Sequence, residues 1–337
     1  MQNYYKIQPV TLYKGTGFFR RLEMKIYDLH CDVLYKLAKA ESPISFTDSP
    51  LLQANKERLE AGKVALQLFA VFVSEGFPKE QQFMEAVRQI EFFHTEIVGK
   101  HDDIVPIYKW EQLETLQEGQ IGAVLSLEGL DMIDRDIEKL KLLLSHGVKL
   151  VGLTWNGANA VADGAAEESG TGLTPFGEEV VTLLNEQNII IDVSHLSEKS
   201  FWDVLPKAKW LMASHSNART ICDSNRNLTD QQLKGLIERD SPIHIVYYPQ
   251  FINNSEKYVD MSDLVRHVDH ITSLGGEHLI GLGSDFDGIS EFVTGLEDAS
   301  KTQSLVRHLL KDYTTEQVQG FTSRNFARFA AKISKEE

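Results

Sequence analysis

Six side chains of the 337-residue chain are of types that bind metal ions or carry protons, and each falls at the end of an apolar run: His30 and Asp32, Glu128, His195, His215 and Asp285. The runs are "KIYDLH" (25–30), "IGAVLSLE" (121–128), "NIIIDVSH" (188–195), "KWLMASHS" (209–216) and "LIGLGSDF" (279–286). In an extended chain, residues i and i+2 share a face. His30 and Asp32 therefore project together as a two-toothed clamp, and Cys31 points the other way, into packing. A lone histidine in a strand is more often a satisfied rim residue than a ligand, and a lone Glu before Gly is often a turn residue. His94, His101, His146, His267, His270, His278 and His308 receive no role on that ground. The joint pattern is different, because burying polar groups without partners costs about 1–3 kcal/mol each and a metal cluster removes that cost. Imidazole and carboxylate without thiolate suit zinc, with manganese, cobalt or iron as alternatives. The five candidate ligands, His30, Asp32, Glu128, His195 and His215, exceed what one tetrahedral zinc with an open position takes. Two ions sharing Glu128 fit better and would activate a bridging water, leaving Asp285 as a carboxylate for proton work.

These residues need elements that bring them together. Three more strand candidates are "VALQLFAVFV" (64–73), "VKLVGLTW" (148–155) and "PIHIVYY" (242–248). Most of the eight are continuous apolar runs, as in parallel strands buried on both faces. Helical periodicity separates several of them, at 134–147, 174–188, 229–240, 260–276 and 314–333, with Thr174 as N-cap and Pro175 at the first helical position of the second. Alternating strand and helix gives a parallel sheet with right-handed crossovers. Eight such units point to an α/β fold of the TIM type, a single-domain (β/α)8 barrel with elaborated βα loops over residues 24–337. A doubly wound open sheet is the alternative. In a barrel, the C-terminal strand ends converge on one rim. The Gly-rich loop 156–173 directly follows a strand, and loops of that length are usually functional; it is a lid or a static surface loop. The segment "SHSNARTICDSNRN" (214–227) carries Arg219 and Arg226 beside His215. Arginine grips carboxylates bidentately, which favours substrate anchoring there.

The formal net charge of -15 disfavours nucleic-acid binding. No run of eighteen apolar residues is present to span a membrane, and the N-terminus lacks a signal-peptide layout. Residues 1–23 read as an N-terminal extension. Two cysteines, Cys31 and Cys222, make no disulfide framework, so a reducing cytoplasm is the expected location.

In order along the chain, "DLHCD", "SLEG", "LTWN", "DVSH", "ASHSNAR…NRN" and "GLGSDFDG" resemble the membrane (renal-type) dipeptidases, zinc peptidases among the amidohydrolase-like metal-dependent hydrolases. The resemblance runs from about residue 25 to near 330. It implies a (β/α)8 barrel with two Zn2+ per chain, one held by His30, Asp32 and Glu128, the other by Glu128, His195 and His215. It further implies hydrolysis of small peptides by a metal-bridging hydroxide, with a D-residue accepted on the C-terminal side. Arg226, eleven residues after His215, would hold the substrate carboxylate, and Asp285 would handle protons. Trp155 and Asn156 would lie against the substrate. Trp155 stands where the family has a histidine thought to support the oxyanion, which puts substrate range in question more than reaction class. Relatives commonly form homodimers, which no stripe of this sequence establishes. The alternatives are another amidohydrolase reaction (deamination, lactone or amide ring opening) or a silent metal-binding relative. The second is disfavoured because no ligand position is lost.

Overall fold

The computed structural model describes residues 23–167, 169–255 and 258–337. The expected N-terminal extension lies outside them, apart from Glu23. The strands are β1 Ile26–Asp28, β2 Val64–Phe72, β3 Ile104–Pro106, β4 Ile121–Glu128, β5 Val148–Gly152, β6 Ile190–Asp192, β7 Leu211–Met212, β8 Ile243–Ile245 and β9 Ile280–Leu282. All pairings between them are parallel, in the order β7-β6-β5-β4-β2-β1-β9-β8. The two ends of that order meet. Ala213, just past β7, bridges in parallel to Ile243 of β8, and the His244 amide donates to the Ala213 carbonyl at 2.9 Å. Eight strands thus close a TIM-type barrel. The ninth, β3, was not legible in the sequence. It pairs with Ile121–Ala123 of β4, below the point where β5 takes over at Leu125.

The continuous apolar character of the strands has a direct cause. Tyr27, Leu66, Leu68, Val124, Leu150, Ile190 and Met212 belong to one buried cluster. Their chain neighbours Ile26, Phe69, Ala123, Leu125, Val151, Ile191 and Leu211 belong to a second, packed against helices. Both faces are dry, so alternation of polar and apolar is absent. Phe326, Phe329 and Ile333 of the last helix, Asn325–Ile333, join the first cluster. Trp110 meets Phe326 edge-on with ring centroids 5.4 Å apart. That plug leaves the opposite, C-terminal mouth for polar groups.

The helices start where their caps say. Thr174 accepts from the Gly177 amide and Pro175 opens the helix Pro175–Glu186. Thr229 with Gln232, and Asp260 with Asp263, form capping boxes for Asp230–Glu238 and Met261–Ser273. The expected helix at 314–333 is broken into Thr315–Gln319, a π-turn at Gly320–Arg324 and Asn325–Ile333.

The strands are shorter than their apolar runs. His195 has φ 69° and Asp285 φ 63°, left-handed values that lift the chain out of the ladder and turn the side chain into the mouth. Gly283 sits at the same seam. A Cβ on it would lie 1.8 Å from the Ser214 carbonyl oxygen, a backbone atom that cannot swing away. Gly283→Ala is expected to lower stability by about 1–3 kcal/mol and to impair activity by displacing His215 and Asp285. Thermal melts and kcat measured together check it.

Candidate active site

The C-terminal mouth gathers all six sequence-identified polar residues. Glu128 is the last residue of β4, while His30, His195, His215 and Asp285 lie two or three residues beyond β1, β6, β7 and β9. His30 Nε2 stands 3.4 Å from Asp32 Oδ2, 3.7 Å from Glu128 Oε2 and 3.8 Å from Asp285 Oδ1. Glu128 turns its other oxygen, Oε1, toward His195 Nε2 at 2.9 Å and His215 Nε2 at 3.7 Å. The carboxylate therefore sits between two groups of candidate ligands. Cys31 is fully buried in the outer apolar cluster, facing away from the site.

Two serine–aspartate pairs aim these groups. Asp28, the last residue of β1, accepts the Ser284 amide at 2.8 Å and its hydroxyl at 2.6 Å. Asp192, the last residue of β6, accepts the Ser214 amide at 2.9 Å and also its hydroxyl. Each serine lies two residues past the neighbouring strand, β9 or β7, and immediately precedes a site residue, Asp285 or His215. The same clip thus stitches two strand seams and orients one functional side chain at each.

The clips also settle tautomers. Ser214 gives its hydroxyl proton to Asp192, so its oxygen accepts from His215 Nδ1–H at 2.7 Å. His195 Nδ1–H donates to Asn156 Oδ1 at 2.8 Å. Both Nε2 atoms are then bare lone pairs, 2.9 Å apart, with Glu128 Oε1 alongside. Burial pushes both imidazoles well below their ordinary pKa, helped by Arg226 for His195 and by His30 for His215. Two nitrogen lone pairs and a carboxyl oxygen converge there, an arrangement that calls for a proton or a cation among them.

The carboxylates make the same demand. Burial first, and then the Asp32 charge, push Glu128 well above the usual carboxylate range. Burial raises Asp285 to about 8, Asp32 adding to it while His30 and Arg226 oppose. Burial opposes the charge on His30, but Glu128, Asp32 and Asp285 together raise it to about 10. His30 Nε2 and Asp32 Oδ1 are buried without a hydrogen-bond partner. Bound cations invert this electrostatic logic. Candidate ligand atoms of His30, Glu128 and His215, and of His30, Asp32 and Asp285, lie within 4.8 Å of one another. The donor set fits a metal centre of mixed imidazole and carboxylate ligation. Asp192→Asn, which weakens the clip behind His215, is expected to cost about 10–100-fold in metal affinity; metal titration followed by calorimetry reads it.

The two arginines part company. Arg219 spends its guanidinium on the Ser224, Asn225 and Asn227 carbonyls, stapling its own loop. Arg226 is buried, stands over the Phe251 ring at 5.3 Å and donates to the His215 carbonyl at 3.4 Å. Its Nε has no partner. Arg226 keeps a buried donor without a partner while Arg219 mainly holds its own loop, so the local density of arginine was half scaffold. The mouth opens into a cleft of about 250 Å³ lined by Tyr35, Phe72, Trp155 and Asn156 on one side and by Tyr248 and Phe251 on the other. Asn156 turns its side chain to His195. In the 156–173 loop, Val161 and Ala162 are buried and Asn159 donates to the Leu153 carbonyl at 2.9 Å. That segment is anchored, which favours the static reading over the lid.

The comparisons agree with this geometry. The family model described as "Membrane dipeptidase (Peptidase family M19)" matches residues 20–336. Dipeptidase aclJ of Aspergillus oryzae is 30% identical over 307 residues, covering 86% of this chain and 72% of that protein. An uncharacterized dipeptidase of Schizosaccharomyces pombe is 28% identical over 338 residues, covering 90% of this chain and 79% of its own. A metallo peptidase from Rhodobacter sphaeroides, liganded with a phosphinate mimic of the dipeptide L-Ala-D-Ala, superposes with a TM-score of 0.87 at 22% identity, over 93% of this chain and 100% of that one. At that identity the last likeness speaks to the fold. Fold, ligand cluster and family match converge: this chain belongs to the membrane dipeptidase family, peptidase family M19, and is a metal-dependent dipeptidase.

Proposed function

We propose that the chain hydrolyses dipeptides with a free C-terminal carboxylate, a D-residue being accepted on that side, and that Glu128 would help to hold each of two zinc ions at its centre. His30 and Asp32 would complete one position and His195 and His215 the other. The observation that carries this is the pair of bare Nε2 atoms 2.9 Å apart beside Glu128 Oε1, with a second set of buried, unpartnered donors at Glu128 Oε2. The D-residue is supported by the L-Ala-D-Ala mimic on the Rhodobacter sphaeroides protein. Metal ions bound there supply Lewis acidity and a water nucleophilic at neutral pH.

The protein's own groups do the rest. Arg226 meets the substrate carboxylate with its free donors and fixes the peptide in an attacking pose. Asp285 takes the proton of the attacking water on its carboxylate and passes it to the leaving amine nitrogen. Trp155 offers a neutral indole where a cation would otherwise support the oxyanion. The same proposal puts the enzyme in the cytoplasm, and two buried free thiols, Cys31 and Cys222, support that. Among the described residues, no helix is long and apolar enough to cross a membrane.

The test is a panel of L,L and L,D dipeptides with zinc restored and products identified. Release of two amino acids is expected. Ammonia or an opened ring as product, or no turnover by metal-replete protein, contradicts the reading.

A further inference from the structure

The cleft is lined by two groups of rings, and the arginine stands against only one of them. Arg226 stands over Phe251, which with Tyr248 follows β8. Those two rings meet edge-on at 4.8 Å. The opposite wall comes from the helix Val33–Lys39 that follows β1 and from the ends of β2 and β5. There Tyr35 packs edge-on against Phe72 at 5.3 Å, Phe72 against Trp155 at 5.2 Å, and Trp155 leans toward His195 at 6.1 Å. Tyr35, Phe72 and Trp155 are each half-buried, so their rings present apolar area to the cleft without closing it. Behind them a second cavity of about 330 Å³ also borders Tyr35 and Phe72, which gives this wall room to yield.

With the substrate carboxylate held on the Arg226 side and the scissile carbonyl over the ligand cluster, the residue donating that carbonyl must turn its side chain to the other wall. We infer that the Tyr35–Phe72–Trp155 wall is the pocket for the substrate's N-terminal side chain, and that Trp155 makes the enzyme selective for dipeptides beginning with a bulky apolar residue, aromatic ones foremost. This inference rests on the dipeptidase reading. Its physical basis is ring-on-ring and ring-on-aliphatic burial, which favours offset or edge contacts at separations of about 4.5–7 Å.

The experiment compares kcat/KM for the series Gly-Ala, Ala-Ala, Leu-Ala and Phe-Ala, and for Ala-Gly, Ala-Leu and Ala-Phe, in zinc-loaded wild type, Trp155→Ala, Trp155→Phe and Phe72→Ala. Wild type is expected to favour Phe-Ala over Gly-Ala by about 10–200-fold, the span that apolar pocket contacts provide. Trp155→Ala and Phe72→Ala should each cut that ratio at least about tenfold, Trp155→Phe should retain it, and the Ala-X ratios should not change in any variant. A wild type indifferent to the first residue, or a Trp155→Ala variant that alters the Ala-X ratios instead, overturns the inference while leaving the dipeptidase reading intact. Absence of turnover on every dipeptide overturns both.

Discussion

Asp285→Asn is expected to keep its metal complement and lose about 10²–10⁴ in kcat, the range that positioned general acid–base groups supply. The substitution is nearly isosteric and keeps the side chain's reach, while removing its ability to accept and return a proton. Asp285 is held by features the change does not touch: the left-handed backbone at φ 63° and the Ser284–Asp28 clip immediately before it. KM for dipeptides should therefore move little, since the proposed carboxylate anchor is a different residue, Arg226. The pH dependence supplies a second readout. In the metal-free protein, burial and Asp32 raise Asp285 to about 8. A dication beside it favours the ionised form, so the acid limb of kcat in the loaded enzyme should fall well below that value and vanish in the Asn variant. A variant that loses metal together with activity would reassign Asp285 from proton carrier to ligand.

Glu128→Gln is expected to have the larger effect, a loss on the order of 10³-fold or more in kcat/KM, equivalent to about 4 kcal/mol of barrier. Glu128 reaches both halves of the centre, with Oε2 toward His30 and Oε1 toward His195 and His215. The amide retains one ligating oxygen and no charge, so metal stoichiometry should fall with activity. Stability gives a test with the opposite sign. The metal-free wild type buries Glu128 against like-charged Asp32 and Asp285, which is why its pKa is raised. A raised carboxylate pKa means that ionisation near neutrality costs folding free energy. Metal-free Glu128→Gln should therefore melt at or above metal-free wild type, while the rise in Tm on adding zinc, present in wild type, should be largely abolished. Equal zinc-induced shifts in the two proteins would remove Glu128 from the ligand set.

The candidate ligands were legible in the sequence because each interrupts an apolar run at a point where a parallel strand must end, and the barrel rule sends all such ends to one mouth. The clips behind them were not. Asp28 and Asp192 sit inside the runs "KIYDLH" and "NIIIDVSH", where a single acid reads as an interruption. Their partners, Ser284 and Ser214, lie 256 and 22 residues away and come near only through strand neighbours. The repeated spacing, an acid two or three residues before a site histidine, was the one available signal. Strand β3 escaped because three residues ending in proline carry no periodicity. Arg219 and Arg226 could not be told apart, since the difference lies in which carbonyls the folded loop offers. Asn156, expected at the substrate, lines the cleft, and its contact with His195 Nδ1 could not be read from the sequence.

The most direct measurement is metal content and position in the purified protein: elemental analysis, with anomalous diffraction at the zinc edge. Two zinc ions per chain at the barrel mouth, one on each side of Glu128, about 3.5–4 Å apart, are the expected result. A single ion, or a mouth that stays empty at saturating zinc while dipeptides are still hydrolysed, would contradict the assignment.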